Sequence, residues 1–249
     1  GIDHVVLVVM ENRSFDHYFG WLPGADGKQA GLQFVDAFGN TQNTFRLATN
    51  PKYGFQGCTF ADPDHSYEGG RTQLNGGKMD GWLQTADTNK TPGDLFPIGY
   101  YQAEDLSFFG PAAQHWTICD RYHCGILAET YPNRFHLMCG ETDRLHNSTA
   151  TCTLPTIFDR FAEKGVSSNY YFSDVPFTAL FGTKYLNLSK PFASFLTDAA
   201  AGTLPAFSYV DPRFTGENPQ GISADDHPNS DIRNGQAFLN QIYDAVRNG

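Results

Sequence analysis

The chain of 249 residues has no run of 18 or more apolar residues, so no segment of it reads as a membrane-spanning helix. No GxGxxG or GxxxxGKS/T signature follows a strand-like run, and neither HExxH nor GxSxG occurs. Those absences exclude, at the level of motifs, dinucleotide-binding, P-loop, zincin and α/β-hydrolase readings. Basic residues are scarce: 17 Lys and Arg stand against 27 Asp and Glu, a formal net charge of -10. A protein that grips a nucleic-acid backbone needs clustered cations, so that class is excluded. An anionic substrate is not excluded, because a bound metal ion reverses the local field. The five cysteines (Cys58, Cys119, Cys124, Cys139, Cys152) form no zinc-type CxxC pair, and their odd number suits one or two disulfides with a free thiol. No internal repeat or low-complexity tract appears. No signal peptide precedes the first strand-like run, as expected of a trimmed or mature chain.

Aromatic side chains are abundant, with 21 Phe and 12 Tyr to fill a core or line a cleft. Residues 2–10 read as a buried strand, since Val5, Val6, Val8 and Val9 favour extended backbone without alternating. Residues 20–99, rich in Gly, Asn, Asp and Pro, read as loops and short helices, one of them Tyr67–Leu74, that cover one face of the core. A helix is predicted over 104–114 and a short strand over 116–119. Thr130 lies near the cap of a helix with Pro132 in its first turn and Gly140 at its exit. Thr153 is the predicted cap of a helix ending at Gly165. Strand 168–172, helix 191–200, strand 206–210 and helix 232–247, capped by Ser230 or Asp231, complete the pattern. Strands alternating with helices imply an α/β fold, a mostly parallel sheet with helices on both faces. Residues 1–249 form one domain, with 20–99 on the active-site side.

Ligands of such sheets collect beyond the carboxyl ends of the strands. Three predicted strands run into acids there: Met10 into Glu11-Asn12, Cys119 into Asp120, and Val210 into Asp211. Glu11 and Asn12 offer the oxygen donors that hard or borderline divalent metals accept. The plainer alternative pairs Glu11 with Arg13 and uses Asn12 to cap a turn. Thr130, at a helix N-terminus, faces unpaired amides that stabilise a phosphate, and a metal would turn its hydroxyl into a nucleophile. Taken on pattern alone, Thr130 reads first as an ordinary cap before Pro132. His65 in DPDHSYEGG and His227 in DDHPNSD occupy polar, turn-rich text where imidazole can protonate a leaving group. Each is also suited to hold its loop through a neighbouring Asp. His136 and His146 carry no such context; His4, ahead of the strand core, reads as structural, and His17 as a residue that orients the neighbourhood of Glu11 rather than one that does chemistry. Asn147 and Asn187 head glycosylation-type triplets.

Four blocks, VVLVVMENRSFDHYFG, DPDHSYEGG, YPNRFHLMCG and DDHPNSDIRNGQ, occur in the order seen in a known family. The chain resembles the phosphoesterase family of bacterial phosphatidylcholine-type phospholipases C, plant non-specific phospholipases C and related acid phosphatases. The resemblance implies an alkaline-phosphatase-like core and a divalent metal ion held by Glu11, Asn12 and Thr130. It also implies Thr130 as nucleophile, with His65 and His227 facing the phosphate and Asn12 touching metal or phosphoryl oxygen. Arg134 and Asp211 are supporting matches. Family members continue past the helix equivalent to 232–247 into a strand that supplies further acidic ligands. The expectation is therefore a chain lacking the C-terminal part, which a second chain would have to supply, or an inactive fragment with a structural or binding role. The expected activity is phospholipase C-type cleavage to diacylglycerol and a phosphorylated head group through a phosphothreonine, with acid phosphatase action on monoesters as the alternative. The expected location is secreted, periplasmic or cell-envelope, with transient contact at a membrane surface.

Overall fold

The structure, a computed structural model, describes residues 1–56, 62–85, 93–216, 221–228 and 230–249. In chain order its strands and α-helices are β1 (Val5–Val8), α1 (Phe15–Phe19), β2 (Gln33–Val35), β3 (Thr41–Asn43), β4 (Phe45–Arg46), α2 (Tyr67–Leu74) and β5 (Gly99–Tyr100). Then follow α3 (Phe109–Ala112), α4 (Thr130–Cys139), α5 (Ile157–Glu163), β6 (Ser168–Phe172), β7 (Ser189–Pro191), α6 (Phe192–Ala200), β8 (Phe207–Val210) and α7 (Ile232–Asn248). The main sheet has the order β1-β8-β6-β7 and is parallel throughout. Antiparallel β2-β3 and parallel β4-β5 form two small separate sheets.

Side chains of successive strand residues point to opposite faces, and the two faces carry different helices. On one face Tyr170 and Tyr209 pack with Phe135 and Met138 of α4 and Phe158 of α5. On the other, Tyr171 and Val210 pack with Phe195 of α6 and with Phe238 and Ile242 of α7. The expected α/β architecture with helices on both faces is therefore present. A third cluster, built on Tyr18, Leu47, Tyr53, Phe96, Tyr101 and Ile232, ties α1 and the loop-rich region to α7.

Register decides which residues meet. Val8 and Tyr171 both align with Val210, so β1, β8 and β6 end level. The residues that follow, Glu11 and Asp211, emerge at the same carboxyl edge. β1 is shorter and less buried than residues 2–10 suggested. Among the described residues it is an edge strand paired only with β8, and Val5 is 48% exposed.

Three local expectations need correction. The helix over 104–114 is a 3-10 turn at Ala103–Asp105 followed by the four-residue α3. Gln102 and Asp105 cap that turn reciprocally, Arg46 holds the Asp105 carboxylate, and a Cβ on Gly110 would strike the Ala103 carbonyl. Residues 116–119 form no strand; Trp116 packs edge-on against Phe108 and tilted against Tyr243 instead, and Asp120 lies in a turn. Thr156, not Thr153, caps α5, in a reciprocal box with Asp159. Asp231 is the cap of α7. Cys119, Cys124, Cys139 and Cys152 are free thiols, so no disulfide joins the described residues; Cys58 lies outside them. Burial pushes the Cys139 thiol up to about 12.

Candidate active site

A cleft of about 1100 Å³ opens at the carboxyl edge of the sheet. Glu11, Asn12, His65 and Thr130 all line it. Glu11 and Asn12 arrive there because β1 delivers them beyond its last paired residue. Thr130 arrives because it starts α4, and His65 because it immediately precedes Ser66, the cap of α2. Residues of the loop-rich region, Leu32, Phe34, Met79 and Trp82 among them, complete the wall.

His227 lies next to Glu11 without lining the cleft. Donor atoms of Glu11, Asp225 and His227 lie within 4.8 Å of one another. Asp225 is fully buried, and its Oδ2 accepts from His227 Nδ1 at 2.6 Å, which fixes the imidazole's tautomer and orientation. The Asp225 carbonyl accepts the Glu11 N–H at 2.7 Å, locking the loop to the end of β1. Asn12 Oδ1 is buried without a hydrogen-bond partner. Two carboxylates and an imidazole, with an orphaned amide oxygen on the residue next to Glu11, are the donor chemistry of a divalent cation, so the residues fit the metal that the resemblance implied. Asp225 and His227 thus join Glu11, which the resemblance had grouped with Asn12 and Thr130. The Asp-x-His spacing at 225–227 was the available signal for Asp225.

Arg13 does not pair with Glu11. Its Nε donates to the Asp226 carbonyl at 2.5 Å and its Nη2 to the His227 carbonyl at 2.9 Å. Nη1 donates to His17 Nε2 at 2.9 Å. Burial, reinforced by the Arg13 charge, holds His17 well below the usual imidazole range, as an acceptor of that bond must be. Arg13 thus fastens the 226–227 backbone to the segment that follows Glu11 and Asn12. Burial also raises the neighbouring Asp226 to about 7.

The N-terminus of α4 is less available to an anion than its sequence implied. The Tyr131 amide donates to Asn147 Oδ1 at 2.8 Å, Pro132 has no N–H, and the cap position is Glu129. Glu129 in turn is bonded to His146 and to the Asn147 amide. His65 is held by its Nδ1–H, which donates to the Pro63 carbonyl at 2.8 Å, with Asp62 at 3.7 Å. That bond fixes the orientation of the ring.

Close packing behind the donor group restricts substitution. A Cβ on Gly235, in α7, would collide with the Asp226 carboxylate. Gly-to-Ala in a helix ordinarily gains up to about 1 kcal/mol. Here Gly235→Ala is expected to lower the melting temperature instead; a midpoint at or above wild type would show that the 225–227 loop gives way freely.

Among the described residues no helix is long and apolar enough to cross a membrane. A profile of the Phosphoesterase family matches residues 2–249. Non-specific phospholipase C1 of Arabidopsis thaliana is 29% identical over 265 residues, covering 99% of this chain and 49% of that protein. Non-specific phospholipase C6 of the same plant is 28% identical over 270 residues, covering 99% and 50%. Phospholipase C A of Mycobacterium tuberculosis is 36% identical over 155 residues, covering 57% of this chain and 30% of that protein. The chain spans about half the length of the plant relatives it matches. With the profile running over nearly every residue and the four sequence blocks gathered around one sheet edge, the chain belongs to the phosphoesterase family.

Proposed function

We propose that the protein is a metal-dependent phosphoric ester hydrolase of the phospholipase C type, with Thr130 as nucleophile. One observation carries the reading: Thr130, His65, Glu11 and Asn12, from three separate sequence blocks, line one cleft, and Asp225 and His227 adjoin Glu11. Glu11, Asp225 and His227 would hold the cation, with the Asn12 amide oxygen beside them. When bound, it supplies positive charge that lowers the hydroxyl pKa of a nearby alcohol and offsets charge on a phosphoryl group.

Thr130 Oγ, its hydroxyl proton released to solvent, attacks phosphorus and displaces the diacylglycerol oxygen, forming a phosphothreonine diester that retains the head group. His65, protonated at Nε2, gives its proton to the departing oxygen. His65 then takes a proton from water, which attacks phosphorus and releases the phosphorylated head group, and the departing Thr130 oxygen regains its proton from solvent. Asp225 keeps the His227 ring oriented throughout. The apolar side chains of Leu32, Phe34, Met79 and Trp82 along the cleft wall favour a substrate with acyl chains over a small monoester.

The test is a paired assay on phosphatidylcholine and an aryl phosphate, each with added Mn²⁺ and with chelator. Expected is metal-dependent release of phosphocholine with much weaker action on the aryl phosphate. Preference for the monoester would overturn the substrate, and hydrolysis of neither by the folded protein would overturn the enzyme reading.

A further inference from the structure

Arg134 lies one turn after Thr130 on α4, four residues along the same helix face. Its side chain is almost wholly buried. Nη1 donates to both oxygens of the fully buried Asp211 carboxylate, at 2.8 and 3.0 Å, and the Tyr170 hydroxyl donates to that same carboxylate. The Phe214 and Phe177 rings lie 4.7 and 5.4 Å from the guanidinium centre. Nη2 points the other way. It is buried, makes no hydrogen bond, and faces Glu11 Oε1 at 3.7 Å. An unpartnered buried guanidinium N–H is costly, and a small rotation of either side chain turns this contact into a charge-assisted hydrogen bond.

We propose that Arg134 is a positioning residue for the cation site: Nη2 holds the Glu11 carboxylate where it meets Asp225 and His227, while Nη1 anchors the guanidinium to Asp211. This rests on the cation reading given above. The charge balance is what makes it workable. A lone guanidinium beside Glu11 would repel a divalent cation, but Asp211 cancels that charge, so Glu11 and Asp225 remain net negative toward it. Because Thr130 and Arg134 share one helix face, the same anchor sets the register of the nucleophile against the end of β1. Only a planar fork serves both directions; an ammonium group satisfies Asp211 and leaves Glu11 unguided.

Arg134→Lys tests the proposal by calorimetric Mn²⁺ titration of the full chain, without reference to turnover. Partners of metal ligands are typically worth about 10–100-fold in metal affinity. The expected result is a folded variant whose Mn²⁺ Kd rises by about tenfold or more. That loss should shrink to nothing when Glu11→Gln is present in both members of the comparison, because Arg134 acts through Glu11. A Kd within about twofold of wild type, or an undiminished effect in the Glu11→Gln background, would overturn the proposal. Should Arg134→Lys fail to fold, the paired replacement Arg134→Gln with Asp211→Asn removes both buried charges and is held to the same two outcomes. Wild-type protein that takes up no Mn²⁺ would instead overturn the cation reading itself, and the positioning role with it.

Discussion

Thr130→Ala is expected to lower phosphoester turnover by about a thousandfold or more while leaving Mn²⁺ uptake close to wild type. The size follows from covalent catalysis: without Oγ there is no phosphothreonine, and water must attack the substrate directly. Folding should survive, because Thr130 is only partly buried and Ala is the better helix former at the start of α4. Cation uptake should survive because the close donor group is Glu11, Asp225 and His227. Head-group release and calorimetric titration on the same preparation measure the two effects separately. Thr130→Ser should retain much of the rate, since it keeps the hydroxyl. Near-normal turnover by the Ala variant would show that another group, or water, is the nucleophile. Loss of Mn²⁺ uptake together with turnover would make Thr130 a cation ligand first.

Arg134→Met is expected to destabilise the fold by about 3–5 kcal/mol, the usual consequence of removing one partner from a buried ion pair. Burial alone would favour a neutral guanidine, yet the Asp211 and Glu11 carboxylates hold Arg134 protonated well above its ordinary range. Met has comparable bulk, so the packing against Phe177 and Phe214 is largely preserved. What is lost is the charge that compensates Asp211, which has no access to solvent. For a protein of this size the melting temperature should fall by roughly 10 °C. Adding Asp211→Asn should recover much of that loss, because the uncompensated charge is then gone. A single variant that melts within a degree or two of wild type would mean that Asp211 is neutral in the fold or reaches water when Arg134 is absent.

Local chemistry made several elements readable in advance. The helix of Tyr67–Leu74 has Ser66 before it and Gly76-Gly77 after it. The α4 helix runs from Thr130 to the left-handed Gly140. In α7 a regular apolar stripe follows Asp231, whose carboxylate accepts the Arg233 amide. The failures share a cause. Residues 104–114 carry helix-forming side chains, but Arg46 lies 59 positions from its partner Asp105 and the close approach of Gly110 to Ala103 also breaks the run. Trp116 has a strand-like neighbourhood in sequence and an aromatic one in space, supplied by Phe108 and Tyr243.

The candidate site divides along the same line. By itself the sequence determined the parallel α/β architecture, the family, and the residue types at the sheet edge: Glu11, Asn12, Thr130, His65 and His227. Periodicity, capping and motif order are properties of neighbours along the chain, and these were enough. Only the tertiary structure decided which charges meet. It turned Arg13 away from Glu11 to the backbone carbonyls of Asp226 and His227, and it brought Asp225 to the donor group. It also placed Arg134 between Asp211 and Glu11. Those partners are separated by 77 to 214 positions, and a contact across such a distance is set by strand register and helix packing rather than by local pattern.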